Sequence, residues 1–92
     1  MSCQIELGPE ARKEIKLLPG HVRAEARQLI KALVDNPRPG PAKELRGKPN
    51  IFRIWIAGRW RLADEVDDNR QYVRILRLRK KNQMDYESLG SQ

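Results

Sequence analysis

Along Cys3-Gln-Ile-Glu-Leu7 apolar and polar residues alternate, the period-two pattern of a short strand with one buried face. Gly8-Pro9 interrupts it, and Pro9 suits the first position of a helix, where an amide hydrogen would lack an intrahelical partner. Between Glu10 and Leu18, the residues Ala11, Ile15 and Leu18 are spaced by four and three and form one apolar stripe. Pro19-Gly20 ends that helix. In the next segment Val22, Ala26, Leu29, Ile30 and Leu33 share a face, while Arg23, Glu25, Arg27, Gln28 and Lys31 occupy the remainder. The pair reads as an antiparallel helical hairpin joined by a tight turn. Asp35 to Pro41, with three prolines and a glycine, cannot continue the helix and reads as a rigid loop.

From Ile51 to Arg79 three runs alternate with turn signals. Phe52, Ile54 and Ile56 fall on one side of the first run, Arg53 and Trp55 on the other. Gly58 supports a reversal, after which Trp60 and Leu62 share one face and Arg59, Arg61 and Ala63 the opposite one. Asp67-Asp-Asn-Arg70 makes the next turn, and Gln71 to Arg79 the last strand. The predicted class is α+β: an N-terminal strand, a two-helix hairpin, then a three-stranded antiparallel meander with the helices packed on one sheet face. The 92 residues fit a single domain spanning 1–92, and Glu87 to Gln92 read as a loosely ordered end.

Charge changes this picture. The chain is 39% hydrophobic and 34% charged, enough to fold, and its net charge of +7 points to an acidic partner. The lone Cys3 excludes an internal disulfide and a thiolate zinc site, and reads as a small buried hydrophobe. His21 is the sole histidine, which excludes a two-histidine acid and base pair and assigns it to helix-terminus packing. No GxxxxGK[ST], HExxH or CxxC occurs, and no cofactor is expected. Without a signal segment or an apolar run of the ~20 residues that span a bilayer, the expectation is a cytoplasmic protein with no membrane partner.

The basic hairpin from Lys48 to Leu62 and the stretch Arg74 to Lys81 carry the chemistry. Arg53, Trp55, Arg59 and Arg61 share the predicted face opposite the one the helices cover. Arginine grips phosphate bidentately and tryptophan offers a plane for a base, so this face, with Lys48, Arg77 and Arg79, reads as RNA-binding. The competing reading is a solvated sheet face with cross-strand charge pairs to Asp64, Glu65 or Asp67. Tyr86 follows Arg79-Lys-Lys81 closely enough to join those cations, or else anchors the tail against the core.

With Asn36-Pro-Arg38, Glu44-Leu-Arg-Gly-Lys-Pro49, Phe52-Arg-Ile54, Gly58-Arg-Trp-Arg-Leu62 and the basic stretch ending in Tyr86, the chain resembles the RelE branch of the RelE/ParE toxin superfamily. The resemblance implies the toxin of a type II toxin-antitoxin system. It would be a metal-independent endoribonuclease that cuts mRNA in the ribosomal A site, by attack of the 2'-OH on the adjacent phosphate. It also implies catalytic roles for Arg53, Arg61, Lys80 or Lys81, and Tyr86, and a RelB-like cognate antitoxin. The other implied partners are the ribosome and its mRNA, with operator DNA reached only through the antitoxin. Trp55 stands where such enzymes often have a second lysine, a lysine replaces an arginine near the end of the last strand, and Asp64 stands where an aromatic is common. The resemblance also leaves open a ParE-like protein that binds DNA gyrase, and a homologue that does not cut.

Overall fold

The computed structural model describes residues 3–83. Strand β1 (Gln4–Leu7) is followed by helices α1 (Pro9–Leu17) and α2 (Gly20–Asp35). Strands β2 (Lys43–Leu45), β3 (Lys48–Ile56), β4 (Trp60–Asp67) and β5 (Tyr72–Lys80) come next, with a short 3-10 turn at Lys81–Gln83. The five strands form one sheet in the order β1-β5-β4-β3-β2. β1 runs parallel to β5, and the other neighbours are antiparallel. The expected meander is β3-β4-β5. β2 is an addition to it, because three residues are too short to display a period.

Pro9 opens α1 as its position predicts. The preceding Gly8 sits in a tight place: a Cβ there would lie 3.1 Å from the Ile75 carbonyl oxygen, to which the Gly8 amide donates at 2.8 Å. The C-terminal end of α1 is closed by Arg23 of α2, whose guanidinium donates to the carbonyls of Ile15, Lys16 and Leu18 at 3.2, 3.1 and 2.9 Å. A cation there satisfies orphan carbonyls and opposes the helix dipole, which locks the helical hairpin.

Both helices cover one sheet face. Ala11, Ile15, Leu18, Val22, Ala26 and Leu33 pack there against Phe52, Ile54, Ile56, Leu62, Val66, Val73, Ile75 and Leu78. Cys3 is half-buried against the same core. In β5 the apolar alternation slips: Val73 and Ile75 share a parity that Leu78 breaks. A β-bulge absorbs the slip. Ile75 pairs with Asp64 and Arg77 with Ala63, leaving Leu76 as the extra residue, so Leu78 rejoins the core opposite Leu62. Leu76 packs instead in a second small cluster with Leu45, Ile51 and Ala63.

The bulge also marks where β5 loses its neighbour. β1 ends at Leu7, opposite Ile75, so beyond that point α1 borders the strand. The Glu14 carboxylate fills the gap, accepting the Leu78 amide at 2.8 Å and the Arg77 guanidinium at 2.7 Å, with Arg79 Nε at 3.3 Å. Removing Glu14 would strand a backbone donor and take a carboxylate away from cations whose side chains are only 21% and 34% exposed. Glu14→Ala is therefore expected to destabilise the protein by about 2–4 kcal/mol, read as a lower urea midpoint with an unchanged slope.

Asp64 does not occupy the solvated, charge-paired place that the competing reading of the sheet face gave it. It is 0% exposed on the helix side of β4, between Phe52 of β3 and Ile75 of β5, and neither carboxylate oxygen has a hydrogen-bond partner among the described residues. Burial pushes its carboxyl up from 3.8 to about 7, with Arg38 pulling the other way. Arg38 itself is held outside by Asp68, through paired hydrogen bonds of 2.8 and 2.9 Å, and lies 5.2 Å from the centre of the Phe52 ring. Because the folded state favours the protonated acid, this contribution to stability is fully present below about pH 4 and is lost as pH rises through about 7. Asp64→Asn should match the wild type near pH 4 and exceed it at pH 8 by up to ~4 kcal/mol, measured by urea unfolding at the two pH values.

Candidate functional site

The sheet face away from the helices gathers the cations that periodicity predicts there. Alternation along β3 turns Arg53 and Trp55 outward while Phe52, Ile54 and Ile56 are buried. Trp55 lies directly opposite Arg61 of β4, and the Arg61 guanidinium carbon sits 3.8 Å from the centre of the indole ring. Arg61 is only 4% exposed, whereas Trp55 is 46% exposed. The indole thus shelters the cation beneath it, a stacking interaction worth about 0.5–2 kcal/mol.

Trp55 divides two hollows. The larger, about 300 Å³, is lined by Trp55, Gly58, Arg59, Lys80, Lys81 and Asn82. The smaller, about 70 Å³, is lined by Pro41, Lys43, Arg53, Trp55 and Arg61. Every ionisable side chain in both linings is a cation. The Lys81 ammonium lies 5.6 Å from the centre of the Trp55 ring, and that of Lys80 lies 5.7 Å from the centre of the Trp60 ring.

Two like-charged pairs stand directly opposite each other in register, Lys43 with Arg53 and Arg61 with Arg79. Such pairs destabilise a sheet; Arg79 has Glu14 beside it, whereas Lys43 and Arg53 share the lining of the smaller hollow, where a negative charge would offset their repulsion. Periodicity could not mark Lys43, since it belongs to the three-residue edge strand. A second hint was available, because Lys43 follows the proline-rich loop that delivers the chain to the sheet edge.

Other expected residues lie elsewhere. Arg77 and Arg79, expected among the RNA-binding cations, are drawn to Glu14 at the α1 side of β5 and line neither hollow. Lys48 is half-buried at the start of β3, opposite Leu45, and lines neither hollow. Arg59 is exposed in the β3–β4 turn and lines the larger one. Asp67 serves its turn by accepting the amides of Asn69 and Arg70 at 3.0 and 3.2 Å. His21 is exposed at the second position of α2. Tyr86 and the end from Glu87 to Gln92 lie outside the described residues. Among the described residues no helix is long and apolar enough to cross a membrane.

No protein-family model matches the chain, and no curated protein matches its sequence. Solved structures do match its fold. A double-arginine mutant of the E. coli toxin RelE in the free state has a TM-score of 0.75 at 25% identity, over 87% of this chain and 84% of that one. The toxin-antitoxin complex RelBE2 from Mycobacterium tuberculosis gives 0.75 at 24% identity, over 88% of this chain and 100% of that one. A YoeB/ParE toxin from Agrobacterium tumefaciens gives 0.73 at 13% identity, over 84% of this chain and 96% of that one. Two helices on one face of a mixed sheet are the fold that these matches give the chain, and in that fold it is similar to the toxins of the RelE/ParE-like superfamily.

Proposed function

We propose that this chain is the toxin of a toxin-antitoxin pair and acts as a ribosome-dependent endoribonuclease on mRNA in the A site. One observation carries the reading: the sheltered Arg61 and its covering Trp55 stand between two hollows whose ionisable linings are wholly cationic. A single-stranded polyanion fits such a surface, its phosphates met by guanidinium groups and a base by the exposed indole.

In the proposed reaction the 2'-oxygen attacks the adjacent phosphorus and the bond to the 5'-oxygen breaks. The products are a 2',3'-cyclic phosphate and a 5'-hydroxyl, the proton leaving the 2'-oxygen and another reaching the departing oxygen. Arg53, Lys43 and Arg61, which line the smaller hollow, would meet charge growing on the phosphorane, since fixed cations in a sheltered site act most strongly where charge develops. Lys80 and Lys81 flank the other side of Trp55 as candidates for proton transfer or for holding the neighbouring phosphate. Arginine is a poor base because it stays protonated below ~pH 12, so Arg53 is assigned to electrostatics. Tyr86 is proposed as a further member through the family resemblance.

The proposed inhibitor is a RelB-like antitoxin whose acidic segment covers the basic face and competes for the same cations. The neighbouring RelBE2 structure is a toxin-antitoxin complex, which supports a partner of this kind. A ParE-like action on DNA gyrase is the second reading, favoured by Trp55 in place of a lysine and by the YoeB/ParE neighbour.

Primer extension on an mRNA in a purified translation system, with and without ribosomes, separates the two. Ribosome-dependent cuts at A-site codons are expected; intact mRNA together with inhibited gyrase supercoiling would replace this reading with the second. Arg61→Ala should lower cleavage about 100-fold or more with an unchanged circular dichroism spectrum, because it removes a sheltered cation at the reacting phosphate. Trp55→Lys should raise the single-turnover rate about tenfold by adding an amine base beside Arg61, and an unchanged rate would show that another group already takes the proton.

A further inference from the structure

The walls of the larger hollow come from two places in the chain, the β3–β4 turn and the segment just after β5, and a line of hydrogen bonds joins them to α2. The turn is held in conformations that residues rarely adopt unaided: Ala57 has φ 49° and Gly58 φ 79°. Ala57 carries a Cβ, so a left-handed backbone there is strained, and it persists only where surrounding contacts impose it. The Arg59 amide donates to the Ala57 carbonyl at 2.9 Å, closing a tight three-residue turn about Gly58. The Glu25 carboxylate, projecting from α2, accepts the Ala57 amide at 2.9 Å. On the far side, the Arg59 carbonyl accepts the Lys81 amide at 3.0 Å.

We propose that Glu25 is a positioning residue for the candidate RNA site, holding the strained turn so that Arg59 in turn fixes Lys81 over Trp55. This rests on the reading of the hollow as the RNA site. Glu25 lines neither hollow, and the group it binds is a backbone amide. It acts through backbone alone. An ionised acceptor strengthens its hydrogen bond to an amide, which suits a carboxylate asked to hold a strained loop. Glu25 reaches the turn from the helix layer, which leaves the sheet's outer face open to a ligand. The hollow's width is therefore set by a side chain on the opposite face of the sheet. In a site of this kind a displacement of about 1 Å in a cation costs much of its effect on the reaction.

The test uses the full chain and three proteins: wild type, Glu25→Ala and Glu25→Gln. The glutamine retains a carbonyl oxygen able to accept the Ala57 amide; the alanine does not. Amide hydrogen exchange of the free proteins should speed up about tenfold at Ala57, Arg59 and Lys81 in Glu25→Ala, with β1 and α1 unchanged, and return to within about threefold of wild type in Glu25→Gln. In the ribosome assay Glu25→Ala should lower kcat about tenfold with KM nearly unchanged, again restored by glutamine.

Faster exchange at Ala57 with Lys81 unaffected would overturn the relay. Faster exchange throughout the molecule, or a failure of glutamine to restore Lys81, would reduce Glu25 to a general stabilising group and overturn it equally. Should the wild type leave mRNA intact, the RNA reading falls while exchange at Lys81 still decides whether Glu25 holds the turn.

Discussion

Among the described residues, β5 has no strand on its outer side along half of its length, and the carboxylate of Glu14 takes the place of one. β1 is short because the chain must turn at Gly8-Pro9 into the first helix, and the turn falls where Gly8 meets the Ile75 carbonyl. The remaining edge would expose a backbone donor beside two arginines. A single acid on α1 satisfies all three groups at once. This ties the helix layer to the sheet by charge-assisted contacts as well as by apolar packing, and leaves the end of β5 open to bring Lys80 and Lys81 beside the hairpin.

The same arrangement sorts the positive charge. Arg23 closes the end of α1, Arg38 grips Asp68, Arg74 lies 3.6 Å from Glu6, and Arg77 and Arg79 meet Glu14. These cations serve the fold. Lys43, Arg53, Arg59, Lys80 and Lys81 line hollows whose ionisable groups are all cations, around the sheltered Arg61. The net charge of +7 is thus an average over two populations, and only the second defines a surface for an anion.

The two faces of β4 carry opposite costs. On the outer face Arg61 is buried under an indole, where stacking compensates part of its lost hydration. On the inner face Asp64 is buried among apolar side chains and relieves the cost by holding its proton up to about pH 7. Both lie within four residues of one strand. A strand carrying such groups on both sides departs from the cheapest packing, and the outward departure coincides with the candidate site.

What the sequence determined by itself is local: two amphipathic helices, the β3 and β4 alternation, and the outward face shared by Arg53, Trp55 and Arg61. These follow from side-chain period, which the backbone imposes within a few residues. The slip at Ile75-Leu-Arg-Leu78 was also present in the letters, although its resolution as a bulge needed the partner strand. Tertiary structure alone decided the parallel pairing of β1 with β5, the edge strand bearing Lys43, the burial of Asp64 and the withdrawal of Arg77 and Arg79 to Glu14. Each depends on which distant segment lies alongside and in what register. Periodicity assigns a residue to a face, whereas neighbours across the sheet and from the helix layer determine whether its charge is paired, sheltered or left to a ligand.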